Sequence, residues 1–217
     1  MRKANWTIWG CLLVAVFLLS SCAKSPAPFK PLQKDTVLAV AGFKNPRYNW
    51  ELLAGCMPDQ CNIVKPEVLD KLNTMLTDAL SASGRNFIGV SMVRQCQELV
   101  GFEQRNESQQ AAALRYWLNV GRCVPCDYLL VPQLMSWKQR DGGDWGVRQP
   151  ASVVMHFYLL DIRNQGIVKT SYYDETQEPL SGNLLEAGTF FKRGAKWVTA
   201  ERLASDGISE AIQELGL

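Results

Sequence analysis

Catalytic signatures are scarce in this sequence. A single histidine, His156, stands in 217 residues, and spacing nominates no serine or cysteine to join it in a nucleophilic triad. The chain has no G-x-S-x-G elbow, no phosphate loop and no G-x-G-x-x-G turn. Their absence removes the sequence grounds for hydrolase, P-loop and dinucleotide chemistry. The carboxylates are scattered, with no pair set up for acid–base work. An excess of one charge is also missing. With Arg2 and Lys3 set aside, the basic side chains equal the 21 acidic ones, so nucleic acid, which usually demands a basic excess, is not an expected partner. No catalytic residue, metal ligand or cofactor is expected.

What is present begins at the N-terminus, MRKANWTIWGCLLVAVFLLSSC. A short basic start precedes an uncharged apolar stretch from Ile8 to Leu19. That is shorter than the ~20 residues a spanning helix needs, and it fits the hydrophobic region of a secretion signal. Leu19-Ser20-Ser21-Cys22 then resembles the lipobox of bacterial lipoproteins. The resemblance implies a signal peptide at 1–21, removed on maturation, and lipid (palmitate) on Cys22. Ala23 stands where aspartate would favour the inner membrane, so the periplasmic face of the outer membrane is the expected location. Two or more acyl groups anchor stably where one is marginal, and nothing after Cys22 reads as a spanning helix. Residues 22–35 hold three prolines in AKSPAPFKPLQK and read as an extended tether, reaching at most ~40 Å over twelve residues.

Residues 36–217 read as one globular domain, and the 47% apolar composition suits a proper core. VLAVAGF (37–43) is a buried strand by its bounded apolar run. Pro66 opens an amphipathic helix through Leu69, Leu72, Leu76 and Leu80, which Gly84 stops. FIGVSM (87–92) is a second strand, followed by a short helix from VRQCQELV. A further helix spans about 108–120 and is closed by Gly121. DYLLVPQL (127–134) is a third strand, in which Pro132 implies an edge or irregular position. ASVVMHFYLLDI and GIVKTSYYDE flank a hairpin turn at Arg163-Asn164-Gln165-Gly166. Thr199 caps a last helix, within which Gly207 is unfavourable. The order is β-α-β-α-β-β-β-α. It predicts an α/β domain whose mixed sheet is part parallel and part antiparallel, with helices packed on it.

Four segments, TVLAVAGFKN, VLDKLNTMLTDALSASG, FIGVSM and CDYLLVPQLMSW, occur in an order that resembles a group of envelope proteins. These are the α/β domains of the curli-secretion lipoproteins, the penicillin-binding-protein activator lipoproteins and the N-terminal domain of TolB. The resemblance implies a non-enzymatic binding or assembly component of an envelope complex, with an envelope protein as partner. The sequence departs from the pore-forming members in having short loops such as Ser136–Gln149. It departs from the activator proteins in its short tether.

Of the seven cysteines, Cys11 leaves with the signal and Cys22 takes lipid. Cys56, Cys61, Cys96, Cys123 and Cys126 remain, in an oxidising compartment where disulfides persist. Cys123-Val124-Pro125-Cys126 has the form of a thiol–disulfide active site, which makes an envelope thiol enzyme one alternative function, a subunit of a lipoprotein secretion pore being the other. Such a site needs its first cysteine at a helix N-terminus, whereas a strand follows here, and Asp127 would raise a neighbouring thiol's pKa. A Cys₄ zinc site from the two clusters is a further alternative. The favoured expectation is structural disulfides among Cys56, Cys61, Cys123 and Cys126, either within each cluster or between them, with the fate of Cys96 open. Candidate partner-binding residues are Trp137 and Trp145 in the loop 136–149, and Phe190, Phe191, Lys192, Arg193 and Trp197 in a mixed basic and aromatic segment.

Overall fold

The computed structural model describes residues 31–33, 35–54, 62–101, 109–143, 146–177 and 197–217. Five strands form the main sheet: β1 (Leu38–Val40), β2 (Phe87–Ile88), β3 (Tyr128–Lys138), β6 (Ser152–Asp161) and β7 (Gly166–Thr176). Their order is β2-β1-β3-β6-β7. β1 runs parallel to β2 and β3, and β3, β6 and β7 are antiparallel neighbours. The protein is therefore of the mixed α/β class, as the order of elements predicted. A separate hairpin pairs β4 (Asp141–Gly143) with β5 (Gly146–Gln149).

Helices α1 (Pro66–Ala82), α2 (Val90–Leu99), α3 (Gln109–Cys123) and α4 (Ala200–Leu215) cover the sheet. Local chemistry sets their ends. Pro66 occupies the first turn of α1, where no N–H is needed, and Gly84 takes the left-handed conformation just beyond it, with φ 74°. Leu72, Leu76 and Leu80 then form one buried stripe. In α4 the Thr199 hydroxyl accepts from Arg202 N at 3.4 Å, and Gly216, φ 72°, closes the helix.

Alternation along the strands divides the core into two layers. Leu129, Val131, Tyr158 and Leu160 pack with Val93 and Cys96 of α2 and Trp117 and Val120 of α3. Met155 and Tyr173 point the other way, against α4, which lies beside α1. Gly207 has its reason here. A Cβ at that position would lie 2.5 Å from the Tyr173 ring and 2.8 Å from Met155 Cε, so the side chain is omitted to let helix and sheet touch.

Four expectations change. β2 stops at Ile88, because Gly89 breaks the apolar run and serves as the N-cap of α2. The α3 helix continues past Gly121 to Cys123; glycine there admits Ile162, whose Cδ1 would lie 2.2 Å from an added Cβ. The loop 136–149 is largely strand, since β3 extends to Lys138 and the β4–β5 hairpin follows. The end of the expected tether makes contact with the domain. Leu32 is buried, and its N–H donates to Gly216 O at 3.2 Å.

The cysteine pairing is corrected as well. Cys96 and Cys123 form a disulfide, and Cys126 is a free thiol. Neither a Cys123–Cys126 bond nor a cross-link from that motif to Cys56 or Cys61 is therefore made. The reason is that residues 121–123 stay helical, which sets Cys123 facing α2 and leaves Cys126 beyond the helix end. Cys56 and Cys61 themselves lie outside the described residues, as do Cys22, Trp145, Phe190, Phe191, Lys192 and Arg193. Among the described residues, no helix is long and apolar enough to cross a membrane.

Two measurements follow from this packing. Gly207→Ala should lower stability by about 1–3 kcal/mol in urea unfolding, although alanine is the better helix former by ~1 kcal/mol. Peptide mapping under non-reducing conditions should return a Cys96–Cys123 cross-link. Replacing both cysteines by alanine should cost ~3–4 kcal/mol in the loop-entropy model for a 27-residue separation. Recovery of a Cys123–Cys126 fragment instead would contradict the pairing.

Candidate functional site

β1 lies at the switch point of the parallel part of the sheet. The backbone leaves it through α1 to reach β2 on one side, then returns through α2 and α3 to β3 on the other. Open α/β sheets bind ligands in the crevice beyond the carboxyl ends of strands at such a point. Here the crevice is a cavity of about 310 Å³, near the small end of ligand pockets. Its lining comes from the segment after β1 (Lys44, Asn45, Pro46, Trp50, Glu51), from α2 and its end (Gln97, Val100), from α3 (Ala113, Tyr116, Trp117) and from β3 (Gln133).

The segment after β1 is held in place by hydrogen bonds. Asn45 Nδ2 donates to Asn62 O and Leu134 O at 3.1 and 2.9 Å, and Asn45 Oδ1 accepts from Val64 N at 3.1 Å. Asn49–Glu51 form a single 3₁₀ turn, in which the Glu51 carboxylate accepts from Arg47 N at 2.6 Å and Tyr48 N at 3.0 Å. The Glu51 carbonyl accepts from Gln133 Nε2 at 2.9 Å. The Tyr48 and Trp50 rings stack, with centroids 5.8 Å apart.

Two amides are left incomplete. Gln133 is only 1% exposed, and its Oε1 has no hydrogen-bond partner among the described residues. Gln97 Nε2, also buried, has none either. Buried polar atoms are rarely left so. Burial raises the Tyr116 pKa, and the neighbouring Gln97 side chain opposes the shift. Lys44 is exposed at its surface, and partial desolvation of its ammonium at the cavity lowers its pKa; the Arg94 charge adds to the lowering and Glu51 opposes it. The disulfide bears on this site directly, because Cys96 precedes Gln97 and ties α2 to α3, the two helical walls.

Of the residues nominated by sequence, none of the described ones, Cys123, Cys126, Trp137 and Trp197, is in this lining. Trp137 is a half-buried residue of β3, with its N–H donating to Asn62 Oδ1 at 2.8 Å and its carbonyl accepting from Asn62 Nδ2 at 2.6 Å. Trp197 is half-buried too, and its carbonyl accepts from the Arg140 guanidinium. These two segments do meet at the N-terminus of α4, where Gln139 Oε1 accepts from Ala200 N at 2.9 Å.

The thiol motif has lost its redox geometry. Burial, and then the Asp127 charge, push the Cys126 thiol up to about 11, opposite to what thiolate chemistry needs. Asp127 is a fastener. It accepts from Val37 N at 2.9 Å and from Arg163 at 3.0 Å, joining the starts of β1 and β3 to the β6–β7 turn. Cys123, bonded to Cys96, is not available as a zinc thiolate.

No protein-family model matches this sequence, and no curated protein sequence matches it. Solved structures do. The protein is similar to PelC, a dodecamer from Paraburkholderia phytofirmans, at 15% identity over 86% of its own length and 91% of that protein's, with TM-score 0.45. It is similar to lipoprotein GNA1162 from Neisseria meningitidis at 13% identity over 74% and 94%, with TM-score 0.40. It is similar to the LpoB C-terminal domain from Escherichia coli at 17% identity over 76% and 94%, with TM-score 0.36. No family and no function passes to this protein through likenesses of this size.

His156 is a strand residue beside Tyr158 and Tyr172, with Nδ1 3.4 Å from the Tyr158 hydroxyl and the Tyr172 ring edge-on at 4.7 Å. Burial holds its pKa below 6.5, and Asp174 opposes the shift. The unfolded state therefore takes up this proton first. The stability tied to neutral His156 is intact above the unfolded pKa and is lost as pH falls through the folded one. Unfolding free energy should drop between about pH 7 and 5, and His156→Gln should flatten that segment of the curve.

Proposed function

We propose that this is a lipid-anchored protein of the bacterial cell envelope, held at the periplasmic face of the outer membrane. It acts there by binding, as a non-enzymatic component of an envelope assembly. The lipobox at Leu19–Cys22 and the tether after it support the anchoring. The observation that carries the binding reading is the cavity at the end of β1, where buried amide atoms lie open among aromatic walls. Such a lining recognises a partner group and holds it. The thiol-enzyme alternative is disfavoured by the Cys96–Cys123 bond and the raised Cys126 pKa.

A photo-crosslinking residue in place of Trp50, in the full lipidated protein, should give a light-dependent adduct with an envelope protein in the membrane fraction. The same residue at exposed Glu210 on α4 should not. Cys22→Ser should release the protein from membranes. Loss of the Trp50 adduct, or identical adducts from both positions, would sink the proposal.

A further inference from the structure

The open atoms of the cavity form a specific pattern. Gln133 Nε2 is committed to Glu51 O, which leaves Oε1 as an acceptor with no partner among the described residues. Gln97 Nε2 is a donor with no hydrogen bond of full geometry, although the Gln97 side chain interacts with the Tyr116 hydroxyl. One donor and one acceptor lining the same cavity are complementary to a single peptide unit, which offers one of each in a fixed, planar relation. Burying such atoms without partners is costly, so a group that satisfies both is strongly favoured over an apolar one.

The charges narrow the choice further. The Glu51 carboxylate is occupied by Arg47 and Tyr48 N–H groups and holds the turn. Lys44 lies at the cavity, where Arg94 and Glu51 both act on it, and two cations against one carboxylate leave a positive excess that favours an anion beside them. A carboxylate is the anion most often carried next to a peptide unit. The aromatic groups suit a peptide better than a sugar ring. Trp117 is only 4% exposed, and the stacked Tyr48 covers one face of Trp50, whereas a sugar needs a broad free face. A volume of about 310 Å³ admits a short peptide and little more.

We propose that this cavity takes a short extended peptide carrying a carboxylate. The peptide C=O accepts from Gln97 Nε2, its N–H donates to Gln133 Oε1, and the carboxylate meets Lys44. The inference rests on the reading that the protein acts by binding. The carboxylate has two sources, the free C-terminus of a polypeptide or an aspartate or glutamate side chain, and the probes separate them.

Saturation-transfer NMR on the full lipidated protein in detergent reads the ligand directly. Acetyl-Ala-Ala with a free carboxylate should bind in the millimolar range, and its amide about tenfold more weakly. Acetyl-Asp-amide binding as well as the free acid assigns the side-chain source, and weaker binding assigns the C-terminus. Lys44→Met should erase the difference between acid and amide. Gln97→Leu should weaken both by about tenfold, with an unchanged Cys96–Cys123 cross-link as the check on folding. The proposal is overturned by no peptide binding at about 20 mM, by an N-acetylglucosamine dimer binding more tightly than either peptide, or by Gln97→Leu leaving affinity unchanged. Trp50 adducts without peptide binding overturn this inference and leave the binding reading standing. Peptide binding without adducts leaves this inference standing and overturns only the envelope-protein partner.

Discussion

The interaction on which the structure depends is the short parallel ladder between β1 and β3. It begins with Leu38 opposite Tyr128 and ends with Val40 opposite Leu130. Farther along, Lys44 returns to the neighbouring strand, donating to Pro132 O at 3.1 Å and accepting from Leu134 N at 2.7 Å. Pro132 has no N–H to give. It is tolerated inside a central strand because the side it fails to serve is the side where β1 has already ended. The same shortfall opens the crevice in which Gln133 Oε1 is left unpaired.

The covering elements follow from that opening. The 3₁₀ turn at Asn49–Glu51 closes over β3 through Gln133 and Glu51 O, and Tyr158 adds a hydroxyl donation to Ala54 O at 3.3 Å. The helices α2 and α3 supply the opposite walls, and the Cys96–Cys123 bond fixes their relative position one residue from Gln97. A disulfide that first looks like a global staple thus also sets the spacing of the cavity walls. On the other face, α4 approaches closely enough that Gly207 has no room for a side chain.

Much of the fold was legible in sequence because its signals are local. The leucine stripe of α1, the Thr199 cap of α4 and the hairpin turn after β6 each depend on residues within a few positions of one another. The misreadings share a cause. Gly89 and Gly121 look alike as punctuation, yet one starts a helix and the other lies within one, because only Gly121 faces an approaching Ile162. Gln133 did carry a signal, a lone amide in the apolar run YLLVPQLM, and the polar–aromatic NPRYNW directly follows β1. Neither points to a cavity until β1 is known to lie beside β3.

Sequence by itself determined the mixed α/β class and most of the order of elements. These arise from contiguous patterns whose periods of about 3.6 and 2 are written along the backbone. Tertiary structure alone decided which cysteine Cys123 joins, why Gly207 must be glycine and which amides stand open. Each depends on the rotational phase of a helix or on the distance between elements far apart in sequence. Helix phase turns by about 100° per residue, so continuing α3 through residues 121–123 fixed which way Cys123 faces and joined it to Cys96 rather than Cys126.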